Sequence, residues 1–150
     1  MQTECPFSDE DLLNILHDAI KAKDVVKCGW SEVRYVHISF SNEWIVRIED
    51  IIVQPRMWTK IHGEPNTLIK RACMESVMSL VALNPGITEW RLAQQTGTFL
   101  NSVELSDLLQ ELCDLNALDY KIVFGDVSIS KRTHYTVTLD WYRKTRSASH

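Results

Sequence analysis

The stretch NSVELSDLLQELCDLN, residues 101–116, decides the fold. Leu105, Leu108, Leu109, Leu112 and Leu115 recur at helical spacing and predict one apolar helix face. Asn101 is placed to cap the helix start, Glu104 to close a capping box, and Asn116 to take the left-handed position past its end. Upstream, Gly97 ends a short helix over 88–95 whose apolar members are Trp90 and Leu92. Before that, Asn84-Pro85-Gly86 stops a longer helix over 66–83, with Ile69, Ala72, Cys73, Val77, Leu80 and Val81 on its apolar face. Downstream, strand-like residues 120–124 and 133–139 flank a turn at Gly125-Asp126. Three helices followed by a β-hairpin predict an α+β fold of the winged-helix kind over 66–140. The short helix, the turn at 96–99 and the helix after it form the helix-turn-helix.

Residues 1–65 read as an extension ahead of that domain. Ser8 caps a helix over 8–23, with Leu12, Leu13, Ile15, Leu16, Ala19 and Ile20 on its apolar face. After Gly29 the period becomes two: Val36, Ile38 and Phe40, then Trp44, Val46 and Ile48, predict two strands about a turn at Asn42. Two prolines and a glycine between Gln54 and Asn66 mark a linker. Asp11-Leu12-Leu13-Asn14-Ile15-Leu16 echoes Asp107-Leu108-Leu109-Gln110-Glu111-Leu112, and both precede strand-rich sequence. Two readings stay open: a partial second winged helix lacking its first two helices, or the ordinary likeness of leucine-rich amphipathic helices.

The chain has 150 residues, 45% of them hydrophobic, and a formal net charge of −4, a globular composition. No apolar run approaches a membrane span, and the first residues lack the basic and apolar regions of a signal peptide. Cys5, Cys28, Cys73 and Cys113 form no CxxC pair, and Cys73 and Cys113 fall on apolar helix faces; a reducing compartment, cytosol or nucleus, is expected. Residues 130–150 carry net +4, which leaves −8 on the rest: an acidic body with a basic tail over 141–150. That distribution suits a generic nucleic-acid binder poorly.

Nothing in the chain signals catalysis. His17, His37, His62, His134 and His150 have no His or Cys partner at ligand spacing, so no metal site is expected. There is no phosphate loop and no nucleophile elbow. A non-enzyme without cofactor is expected. In a helix-turn-helix the second helix meets the major groove. Here the expected outward face carries Glu104, Asp107, Glu111 and Asp114, and no Lys or Arg occurs from Asn101 to Asn116. Carboxylates there repel phosphate, so these four acids are candidates for a protein partner instead. Trp44 and Trp58, beside polar loop residues, are candidates for joining the two halves or for the same partner. Lys131, Arg132, Arg143, Lys144 and Arg146 are candidates for touching DNA backbone without sequence selectivity; the alternative is a solvated basic tail.

Four stretches stand out together: Val33-Arg34-Tyr35-Val36-His37-Ile38-Ser39-Phe40 with Glu43-Trp44-Ile45-Val46; Pro55-Arg56-Met57-Trp58 with His62-Gly63-Glu64-Pro65-Asn66; Asn84-Pro85-Gly86-Ile87-Thr88-Glu89; and Tyr135-Thr136-Val137-Thr138-Leu139-Asp140. In this order they resemble the C-terminal region of the largest subunit of transcription factor IIIC in animals. The resemblance covers most of the chain from about Leu12 to Asp140. Met57, Glu43 and His62 depart from the family pattern. The resemblance implies a part in RNA polymerase III transcription of transfer-RNA genes, a nuclear location, and an architectural role among the factor's other subunits. It also implies that these residues end a longer polypeptide. The expected function is therefore subunit assembly, with DNA-backbone contact through wing and tail as the alternative.

Overall fold

In a computed structural model the described residues are 8–124 and 131–141, and they form a mixed α+β protein. The chain divides into two compact units, Met1–Pro55 and Arg56–His150. The division falls inside the expected linker, directly after Pro55, rather than after residue 65. The reason is local bonding: Trp58 is buried, the Asn66 N–H donates to the Trp58 carbonyl at 2.6 Å, and Thr59 bridges Pro65. Residues 56–65 are thus a tied-down loop of the second unit.

The first unit opens with α1, Asp9–Lys21. Ser8 caps it through a complete capping box with Asp11, and Lys23 ends it in the left-handed conformation at φ 63°. Its apolar face stays uncovered: Leu12, Leu13 and Ile15 are exposed, and Leu16, Ala19 and Ile20 are half-buried. Two antiparallel hairpins follow, β1 (Val25–Cys28) with β2 (Arg34–His37) and β3 (Val46–Ile48) with β4 (Ile51–Val53). They enclose a small core of Val26, Cys28 and Ile45.

The hairpin expected about Asn42 does not form. Residues Ile38–Phe40 instead make a single 3-10 turn. His37 Nδ1 accepts the Ser39 N–H at 3.3 Å, and the Ser41 hydroxyl donates to the Ile38 carbonyl at 2.7 Å. Short polar side chains bonded to nearby backbone compete with strand pairing in this way, and they split the alternating run in two. Gly29 makes the first hairpin possible. At φ +113° a β-carbon there would sit 2.1 Å from the Glu32 carbonyl oxygen. Gly29→Ala is therefore expected to lower stability by more than about 1 kcal/mol, with loss of amide-exchange protection concentrated in β1 and β2.

In the second unit, α2 (Thr67–Leu83) is capped by Asn66, β5 (Ile87–Thr88) leads into α3 (Glu89–Thr96) capped by Thr88, and α4 (Ser102–Asp114) carries the capping box of Asn101 and Glu104. Asn116 takes φ 53°, the left-handed position expected of it. Strands β6 (Leu118–Phe124) and β7 (Lys131–Val137) complete an antiparallel sheet in the order β5-β7-β6. The turn at Gly125-Asp126 lies outside the described residues.

Leu105, Leu108, Leu109 and Leu112 are all buried in one core with Trp58, Cys73, Val77, Leu92, Leu118 and Tyr135. Two parts of the expected packing are corrected. Ile69 and Ala72 of the expected α2 face are exposed, while Cys73, Val77 and Val81 of that face are buried, joined by Met78, and Leu80 is half-buried. Leu115, at the C-cap of α4, and Trp90, on α3, are 59% and 69% exposed. Both lie at helix ends, where the chain turns before periodic spacing can carry a side chain back to the core.

Candidate functional site

The four acids of α4 do not make one outward face. Glu104 is only 6% exposed. Its Oε2 accepts the Asn101 N–H at 3.0 Å, and its Oε1 accepts the Met57 N–H at 2.6 Å. One carboxylate thus closes the helix N-terminus and pins the loop 56–65 upon it. Asp107 Oδ2 accepts from Arg56 Nε at 2.7 Å, with the arginine side chain 14% exposed. Glu111 pairs with Lys70 Nζ of α2 at 2.6 Å. Asp114 Oδ1 accepts the Gln110 side-chain amide at 2.9 Å, one turn back on the same helix.

The expectation that Glu104 lies on the exposed face is therefore wrong, and the acidic surface shrinks to half-buried Asp107 and Glu111 and exposed Asp114. The cause is a bond across 47 residues between loop and helix, which helical periodicity cannot register. A buried carboxylate accepting two backbone N–H groups satisfies donors that would otherwise be orphaned. Its function is structural.

Trp58 is corrected in the same way: it belongs to the core of the second unit. Trp44, in the first unit, is 43% exposed. The side chains of Lys131 and Arg132, and the whole of Arg143, Lys144 and Arg146, lie outside the described residues.

A different surface stands out. An open groove of about 1080 Å³ runs between the turn at Asn84–Gly86, the start of α3 and strand β7, lined by Pro85, Trp90, Arg91 and His134 among others. Gly86 turns the chain at φ 80°. His134 Nδ1 lies 2.8 Å from the Gly86 carbonyl, and the Tyr135 hydroxyl donates to Glu89 Oε2 at 3.5 Å, so the floor is bonded in place. Trp90 projects from it on α3. The sequence names Trp90 with Leu92 as the apolar members of this short helix, and only the packing separates buried Leu92 from exposed Trp90.

Among the described residues no three His, Cys, Asp or Glu side chains group as a metal site, and no helix is long and apolar enough to cross a membrane. Cys28 and Cys73 are buried and free, and Cys113 is half-buried. Burial, and then the charge of Asp114 and Asp119, push the Cys113 thiol up to about 11. Burial, then Glu89, raises Tyr135 as well. Both groups favour the protonated form in the folded state. Their contribution is complete below the unfolded values and is lost as pH rises through the folded ones. Stability is expected to fall from about pH 9 upward, through and beyond pH 11. Thermal unfolding across that range checks it, and Cys113→Ser should lessen the decline at its lower end.

No protein-family model matches the sequence, and no curated protein matches it.

Proposed function

We propose that the second unit is a winged helix serving as a subunit-assembly module of a transcription factor IIIC-like complex in the nucleus, and that it is not an enzyme. The order helix, short strand, helix, helix, hairpin, with β7 central in the sheet, supports the winged-helix reading. The runs that resemble the factor's largest subunit support the complex.

One observation carries the choice of protein over DNA. From Ser102 to Asp114, α4 offers no Lys or Arg, and its three innermost acids are matched by Met57, Arg56 and Lys70 within the unit. A helix that reads base edges needs donors such as arginine for guanine, with cations for the flanking phosphates. The exposed Trp90 beside a bonded groove has the character of an interface anchor.

The test is co-purification with the other subunits of the factor, alongside titration with a transfer-RNA gene fragment and unrelated DNA at near-physiological salt. Trp90→Ala should leave the melting temperature nearly unchanged and weaken association by roughly 30-fold, the effect of losing about 2 kcal/mol at an anchor. Wild type should bind both DNAs weakly and alike, and removal of residues 142–150 should abolish that binding while subunit association survives. Sequence-selective DNA binding by wild type would promote the alternative, contact through Lys131, Arg132 and the tail.

A further inference from the structure

Strand β6 ends its sheet: in the order β5-β7-β6, no strand among the described residues pairs with its outer side. Three hydrogen bonds fix which of its backbone groups face outward. The Thr138 N–H donates to the Ala117 carbonyl at 3.1 Å, so Ala117 faces β7. The Gly86 N–H donates to the Tyr135 carbonyl at 2.9 Å, so Tyr135, the partner of Tyr120, faces β5. Because N–H and C=O of one strand residue point the same way and alternate along the strand, Leu118, Tyr120 and Ile122 present theirs to the open edge. The Tyr120 N–H is held there by the Asp119 carboxylate of its own strand at 3.1 Å.

Such an edge is a template for another strand, and its sequence specifies which. Asp119, Tyr120 and Lys121 are consecutive and exposed. In an antiparallel pairing of β6 with itself, a twofold axis at Asp119 sets carboxylate against carboxylate, and one at Lys121 sets ammonium against ammonium. Both are disfavoured, since like charges directly opposite destabilise a sheet. An axis at Tyr120 sets Asp119 against Lys121 of the second copy and Lys121 against its Asp119. It also lays Leu118 against Ile122 and brings together two Tyr120 rings, each 55% exposed in the single chain.

We propose that a second copy of this chain pairs along β6 about a twofold axis at Tyr120, joining two three-stranded sheets into one of six. The outward N–H and C=O of Tyr120 exchange bonds with their counterparts across the axis. Asp119 releases the Tyr120 N–H and turns to Lys121 of the other copy. The interface is isologous, as a twofold axis requires, and this inference is independent of the role assigned to the groove and Trp90.

Sedimentation equilibrium of the full chain over a range of concentrations tests it. Wild type should dimerise. Asp119→Lys and Lys121→Asp should each raise the dimer dissociation constant by at least about tenfold, since each puts like charges opposite one another twice. An equimolar mixture of the two single variants should form a heterodimer, because every facing pair is then complementary, and the double variant D119K/K121D should recover the homodimer. Circular dichroism of each variant checks that it is folded. A wild type that is monomeric throughout, a dimer indifferent to both single variants, or a mixture that fails to associate would each overturn the proposal. So would a monomer that instead takes up an unrelated extended peptide along β6.

Discussion

Leu109→Ala is expected to destabilise the second unit by about 2–5 kcal/mol, the range for truncating a core leucine. Leu109 is 2% exposed, between Leu108 and Leu112 on the inner face of α4, where helix and sheet share one core. Truncation removes transfer free energy and leaves a cavity that packed neighbours close only partly. Urea unfolding followed by tryptophan fluorescence reads the effect through Trp58, buried in the same core. Leu115→Ala is the internal control. Its side chain is 59% exposed, so its cost should stay within roughly 0.5 kcal/mol, as for surface substitutions generally. Equal losses at the two positions would mean that α4 turns a different face inward.

The second large effect falls on Glu104. Glu104→Ala deletes the acceptor of both the Asn101 and the Met57 N–H groups. Leaving these donors unsatisfied costs about 1–3 kcal/mol, while Asn101 Oδ1 still caps the helix by accepting the backbone N–H of residue 104. Glu104→Lys should cost more than the alanine change, because it introduces an ammonium among donors. Glu104→Gln keeps an acceptor oxygen and should cost least. The loop should loosen with the helix: amide exchange at Met57 and Trp58 rises in Glu104→Ala, while the middle of α2 stays protected. Arg56→Ala paired with Asp107→Ala in a double-mutant cycle measures the second tie of the same loop. A coupling of about 0.5–3 kcal/mol is the expectation for residues in direct contact. If Glu104, Arg56 and Asp107 could all be replaced without moving the loop or the stability, the carboxylates would be surface groups after all.

The two effects differ in how far they were legible beforehand. The burial of Leu105, Leu108, Leu109 and Leu112 follows from their spacing, since a 3.6-residue period puts them on one side of the helix whatever lies opposite. The caps at Ser8, Asn66, Thr88 and Asn101 depend on side chains reaching backbone three residues on. Ser8 and Asn101 could be read directly as such caps. Strand β5 escaped notice because two residues, Ile87 and Thr88, have no period, and only their bonding to His134 and Tyr135 makes them a strand. The hairpins of the first unit differ from the sequence reading because Ser39 looks like an ordinary outward strand position until its bonds to His37 are seen, and Ser41, beside the expected turn, bonds back to the Ile38 carbonyl.

What the sequence determined by itself is therefore what short-range physics controls: which segments are helices, where four of them begin, that Asn116 turns left-handed, and that one leucine face of α4 is buried. The tertiary structure alone decided which charges remain at the surface. Glu104, Asp107 and Glu111 are charged side chains that the sequence alone assigns to the surface, yet Met57, Arg56 and Lys70 reach them from segments 47, 51 and 41 residues away. It also decided that Trp58 is core, that Trp90 stands beside a groove, and that no strand among the described residues pairs with the outer edge of β6. Periodicity reports a residue's direction relative to its own element's axis; only the packing of other elements determines whether that direction ends in water.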